Sequence, residues 1–117
     1  MNSITPNEKP VFVKSGRSIK RISGRDILYV TCTGNISHIH LKDGSTMDCV
    51  RLLKLFEEDL AGQGFIRTNH NCLVNLSEVK EIHYVNARKR LLALSSGETV
   101  EVSYRKWKNV KEALLGS

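Results

Sequence analysis

Apolar and polar residues alternate in short bursts along most of this chain. Val11 to Lys14, Ser18 to Ile22, Ile27 to Thr33, Ile36 to Leu41 and Thr46 to Cys49 follow one another as strand-length runs. Val79 to Val85, Leu91 to Leu94 and Thr99 to Val102 continue the series, separated by Asn86-Ala87 and by Ser95-Ser96-Gly97. Runs of this length between turn residues predict a meander of antiparallel hairpins. Asp43-Gly44 is the strongest turn signal, because both residues tolerate the positive φ of a tight primed turn.

Two segments change period. In RLLKLFEEDL, Leu52, Leu55, Phe56 and Leu60 recur at helical spacing, and Gly62 and Gly64 supply a stop, which predicts a helix of about three turns. In SYRKWKNVKEALLG, Ser103 is placed to cap a closing helix that buries Trp107, Val110 and Leu114 and leaves Lys106, Lys108 and Lys111 in water. Residues 65 to 76, FIRTNHNCLVNL, carry neither period cleanly. The class is therefore mainly β, with one or two short helices.

At 117 residues the chain predicts one domain, large enough to bury a core without disulfides or metal. Residues 1 to 10, with Pro6 and Pro10, read as a linker or disordered start, and 11 to 117 as the domain. No secretory signal is visible and no apolar run approaches the about 18 residues of a membrane span, so the expected location is the cytoplasm. Cys32, Cys49 and Cys72 form an odd set without C-x-x-C spacing, which argues against a disulfide framework and a zinc ribbon.

Charge narrows the partner. The net charge is +6, and the cations are segregated. Lys9, Lys14, Arg17, Lys20, Arg21 and Arg25 have no acid among them; Arg88-Lys89-Arg90 form a second cluster; Arg105, Lys106, Lys108 and Lys111 form a third. The acids gather at Glu57-Glu58-Asp59. Segregated charge of this kind attracts polyanions, although a solvated basic face is also common.

Catalytic chemistry finds little support. His38 and His40 would share one strand face, an arrangement that fits two solvent-facing histidines better than a metal site. His70 and Cys72 suggest a base and a thiolate, but no third orienting group is near, and a buried structural cysteine is the better reading. No phosphate loop, H-E-x-x-H or G-x-S-x-G is present. No catalytic residue, metal ligand or cofactor is assigned.

Arg67-Thr68-Asn69-His70-Asn71-Cys72-Leu73-Val74-Asn75 resembles the R-x-H-x-S-aromatic-x-V-N signature of the LytTR DNA-binding domain. The resemblance extends over roughly residues 11 to 115. It takes in Asp26-Ile27-Leu28-Tyr29, the Gly34-Asn35 loop, the Asp43-Gly44 hairpin, the leucine-bearing helix, and Val102-Ser103 followed by Arg105. It implies an elongated, sandwich-like domain of several small antiparallel sheets, found in bacterial transcription regulators, whose loops enter the major groove of promoter DNA. The base-contacting positions implied are Asn35, His70 and Arg105, with Lys14, Arg17, Arg67, Asn69, Asn71, Ser103, Lys106 and Lys108 contacting phosphate or supporting the loops. Asn, His and Arg all offer directional donors to base edges. Asn69, His70, Asn71, Cys72 and Tyr104 depart from the usual family residues.

Each assignment has a plainer alternative. Asn35 can be a turn residue taking positive φ, His70 a local loop-holding residue, Arg105 a surface cation, and Ser103 a helix cap. Asn75 is expected to bond backbone at a turn beneath the loop. The implied partners are double-stranded promoter DNA, bound as two copies on paired direct repeats, and a receiver domain or sensor; no membrane is implied. No phosphoacceptor domain is expected before residue 11, so the chain is expected to be a stand-alone regulator or an output half. A general nucleic-acid or RNA binder, or a protein-interaction module with a basic face, is the competing class.

Overall fold

A computed structural model describes residues 10–116. Ten strands and two α-helices follow in order: β1 Val11–Ser15, β2 Ser18–Ile22, β3 Ile27–Thr33, β4 Ile36–Leu41, β5 Thr46–Val50, α1 Leu53–Asp59, β6 Phe65–Asn69, β7 Cys72–Asn75, β8 Val79–Tyr84, β9 Arg90–Leu94, β10 Thr99–Val102 and α2 Tyr104–Leu115. They form a β1-β2 hairpin, a five-stranded sheet in the order β5-β4-β3-β7-β6, and a three-stranded sheet in the order β10-β9-β8. Every pairing is antiparallel. The molecule measures 46 × 32 × 24 Å, elongated as the resemblance implied.

The five-stranded sheet is the middle layer and has a core on each face. One core gathers Ile27, Val30, Ile39 and Leu73 of that sheet with Val11 and Val13 of β1 and Leu53, Phe56 and Leu60 around α1. The other gathers Leu28, Tyr29, Cys72 and Val74 with Leu92, Leu94, Val100 and Val102 of the three-stranded sheet and Val110 of α2. Residues 72–75 are accordingly all buried, with Leu73 facing one core and Cys72 and Val74 the other. In β3 the register shifts between Ile27 and Tyr29, so Leu28 is an extra residue. That bulge lets Leu28 and Tyr29 both enter the second core while Ile27 and Val30 enter the first.

Several expectations change. The first helix has 7 residues rather than three turns, and its buried face is Leu53, Phe56 and Leu60. Leu52 and Leu55 are 56% and 38% exposed. Leu52 precedes the helix with extended backbone, so a stripe counted from it starts one residue early. Residues 65–76, without clean periodicity, contain two paired strands. A register shift between Arg67 and Asn69 breaks the alternation of β6, and burial on both faces removes it from β7. Asp43-Gly44 does lie in a hairpin, but only Gly44 takes positive φ. Gly44 N–H donates to Leu41 O and Leu41 N–H to Ser45 O, the pattern of a turn followed by a glycine bulge rather than a primed two-residue turn. The closing helix runs as expected, with Val110 buried, Trp107 and Leu114 packed against the second core, and Lys106, Lys108 and Lys111 exposed. The expected linker lies outside the described residues except for Pro10.

Candidate nucleic-acid interface

Strand pairing brings three connections to one end of the molecule. Thr31 pairs with Cys72, so the β3–β4 turn at Gly34-Asn35 stands beside the β6–β7 turn at His70-Asn71. Cys32 ties them: its N–H donates to Asn71 O at 3.1 Å, and its thiol lies 3.6 Å from Asn71 Oδ1. The third connection is the β10–α2 junction, where Ser103 N–H donates to Thr68 O at 2.8 Å and the Asn69 amide donates to Glu101 O at 2.8 Å. Asn35, His70 and Arg105 therefore lie on neighbouring connections.

The local chemistry divides holders from free groups. Gly34 adopts φ 62°, while Asn35 stays at negative φ, so the turn does not require Asn35 for its conformation. Asn69 is engaged at both ends of its amide: besides the bond to Glu101, its Oδ1 accepts the Asn71 N–H at 2.8 Å. Arg67 donates to His70 O at 3.2 Å and approaches Glu57 on α1 at 3.4 Å. Ser103 caps α2, accepting the Lys106 N–H at 3.3 Å. Asn75 donates to Ile27 O at 3.0 Å and accepts from the Ser77 amide and hydroxyl, bracing the base of β7. By contrast, the side chains of Asn35, His70 and Arg105 are exposed and make no hydrogen bond or ion pair among the described residues.

Lys106 and Lys108 are exposed on the first turns of α2, close to Arg105. Lys14 and Arg17 sit apart, on the β1-β2 hairpin, where Lys14 borders a groove with Phe12, Asp48, Val50 and Arg51. No hydrogen bond or ion pair among the described residues links either to the three connections. Sequence reasoning left out Arg88 and Lys89 as site residues. Pairing of Val102 with Arg90 carries their turn to the β10–α2 junction, a relationship that only the sheet register reveals.

The set-aside chemistry also has its place. Burial pushes the Cys72 thiol up, away from thiolate. His38 meets Asp48 at 2.7 Å and Thr33 at 3.2 Å, while His40 stacks on Tyr29 with ring centroids 4.1 Å apart. The strand face expected to be open to solvent is thus partly covered. Among the described residues no group of three His, Cys, Asp or Glu could hold a metal, and no helix is long and apolar enough to cross a membrane.

Comparison with known proteins gives a match over residues 17–115 to the LytTr DNA-binding domain family. A similar solved structure is the LytTr DNA-binding domain of a protein designated a methyl-accepting/DNA response regulator from Bacillus cereus, with TM-score 0.79 and 22% identity, covering 91% of this chain and 96% of that one. At that identity the likeness carries the fold. No curated protein sequence matches significantly.

Proposed function

This chain belongs to the LytTR family of DNA-binding domains, and from that premise we propose that it binds specific double-stranded promoter sequences as a transcription regulator or the output domain of one. Asn35, His70 and Arg105 read base edges in the major groove. Arg67, Asn69, Asn71 and Ser103 hold the reading turns, and Lys106 and Lys108 contact phosphate, with Lys14 and Arg17 reaching it from the β1-β2 hairpin. The observation that carries the reading is the set of three exposed donors on neighbouring connections, each without a partner among the described residues.

Two copies occupy paired direct repeats, and the likeness to a response-regulator domain supports a receiver domain or sensor as the controlling partner, in the cytoplasm. Single-strand or RNA binding is the weaker reading, since it needs free aromatic platforms. Of 7 aromatics, Phe56 and Tyr29 are buried, Phe65 and Trp107 pack against the cores, and Tyr84 and Tyr104 each carry an arginine over the ring, which leaves Phe12 as the one exposed ring without a ring or cation contact among the described residues. Selection from random duplex, followed by competition with random duplex, single strand and RNA, tests the proposal. The selected duplex should compete best by a wide margin; equal competition by RNA or single strand would reject it.

A further inference from the structure

The turn between β8 and β9 is built to hold cations rather than to neutralise them. Asn86 Oδ1 accepts the amides of Arg88 and Lys89 at 2.9 and 3.0 Å, and Val85 N–H donates to Lys89 O at 2.9 Å. Arg90, at the root of the turn, lies 4.9 Å from the Tyr84 ring and 5.3 Å from that of Trp107, which themselves meet edge to face at 5.6 Å. Arg88 stacks 4.8 Å over Tyr104, the residue next to Arg105. Arg88 and Lys89 are exposed, and neither makes an ion pair among the described residues. Stacking on an aromatic face restricts a guanidinium while leaving its N–H edge free for an anion.

We propose that this turn is a fourth DNA-contacting element: Arg88 and Lys89 bind the backbone phosphates flanking the base read by Arg105, and Tyr104 is the positioning residue that orients Arg88. The proposal rests on the DNA-binding reading above. The partner is a duplex phosphate backbone, because two cations side by side on a rigid turn carry charge without a pattern of acceptors and donors that could distinguish bases. Tyr104 thereby holds a guanidinium from the neighbouring hairpin beside Arg105.

The test measures binding of the full chain to its selected duplex across a salt series. For Arg88→Gln/Lys89→Gln the slope of log K against log salt should be shallower by about 2, with base preferences unchanged. Lys54→Gln/Lys80→Gln, which removes equal charge from α1 and the start of β8, should leave the slope unchanged. Tyr104→Phe should bind as the native chain, and Tyr104→Leu about two- to fivefold more weakly. An unchanged slope in the Arg88/Lys89 variant, or an equal loss in the Lys54/Lys80 variant, overturns the fourth contact while leaving specific binding intact. Failure of the native chain to prefer its selected duplex overturns both readings.

Discussion

The backbone carbonyl of Thr68 accepts the amide of Ser103 at 2.8 Å. Thr68 is the extra residue of the β6 bulge, and a bulge turns a carbonyl away from its own ladder. Here that carbonyl fastens the β10–α2 junction to the β6–β7 hairpin, and Asn69 adds a second fastening through Glu101. The turn bearing His70 and the junction bearing Arg105 are thereby joined independently of the His70 and Arg105 side chains.

Asn69→Ala removes two hydrogen bonds of 2.8 Å, one within the turn and one across to β10. The expected loss of stability is about 1–2 kcal/mol. Specific DNA affinity should fall by more than stability alone explains, since the two elements proposed to read bases lose one of their two fastenings. Urea unfolding beside binding to the selected duplex checks this; loss of stability with undiminished specificity would show that the brace is not needed for reading.

Asn75→Ala should be costlier. Asn75 is 3% exposed, and its removal leaves the buried Ile27 carbonyl without the amide it accepts. The expected loss is about 2–3 kcal/mol, read from the shift of the urea midpoint at constant m-value. A change below about 0.5 kcal/mol, the usual range for surface substitutions, would mean that the carbonyl finds another donor.

Most strands were legible because one-sided burial writes itself as alternation, as in β4, where Ser37 and Ile39 are buried and Ile36 is exposed. β7 was not, because Leu73 and Val74 serve opposite cores and no polar position marks a face. The offset of the first helix has a similar cause: leucines at 52 and 55 mimic a buried stripe that belongs to 53, 56 and 60. At the site, residue types and motif order pointed to Asn35, His70 and Arg105. Their neighbourhood came from register, since positions 35, 70 and 105 are brought together by contacts between residues far apart in sequence, such as the Thr31–Cys72 pair and the Thr68–Ser103 bond. The Arg88–Tyr104 stack was invisible for the same reason.

His40 supplies a pH dependence. Burial lowers its pKa, with Glu98 pulling more weakly in the opposite direction. The unfolded chain takes up this proton near pH ~6.5, whereas the folded chain resists it. The stability contribution of neutral His40 is therefore complete above about pH 6.5 and is lost as pH falls from there through the lower native value. In urea titrations at successive pH values, His40→Gln should lose stability less steeply over that window than the native chain. Equal slopes would show that His40 titrates as it does in the unfolded state.

Salt dependence reports the phosphate contacts. With about six such contacts, log K should fall against log salt with a slope of roughly −5, and Lys108→Ala should weaken all duplexes alike and make the slope shallower by about 1. A native slope near zero would be incompatible with a phosphate-dominated interface.

Major-groove reading by Arg105 is the central claim, and substituting 7-deazaguanine for each guanine of the selected site in turn tests it most directly. The replacement deletes the N7 acceptor and leaves the minor groove and phosphates as they were. A guanidinium that bonds both O6 and N7 should lose about 1–3 kcal/mol of discrimination when the pair is broken, roughly five- to 150-fold in affinity. The account predicts such a loss at one guanine per half-site for the native chain, and no sensitivity at that position for Arg105→Ala. A native chain that keeps its site preference yet is indifferent at every guanine, or an Arg105→Ala variant with the same sensitivity as the native chain, would contradict it.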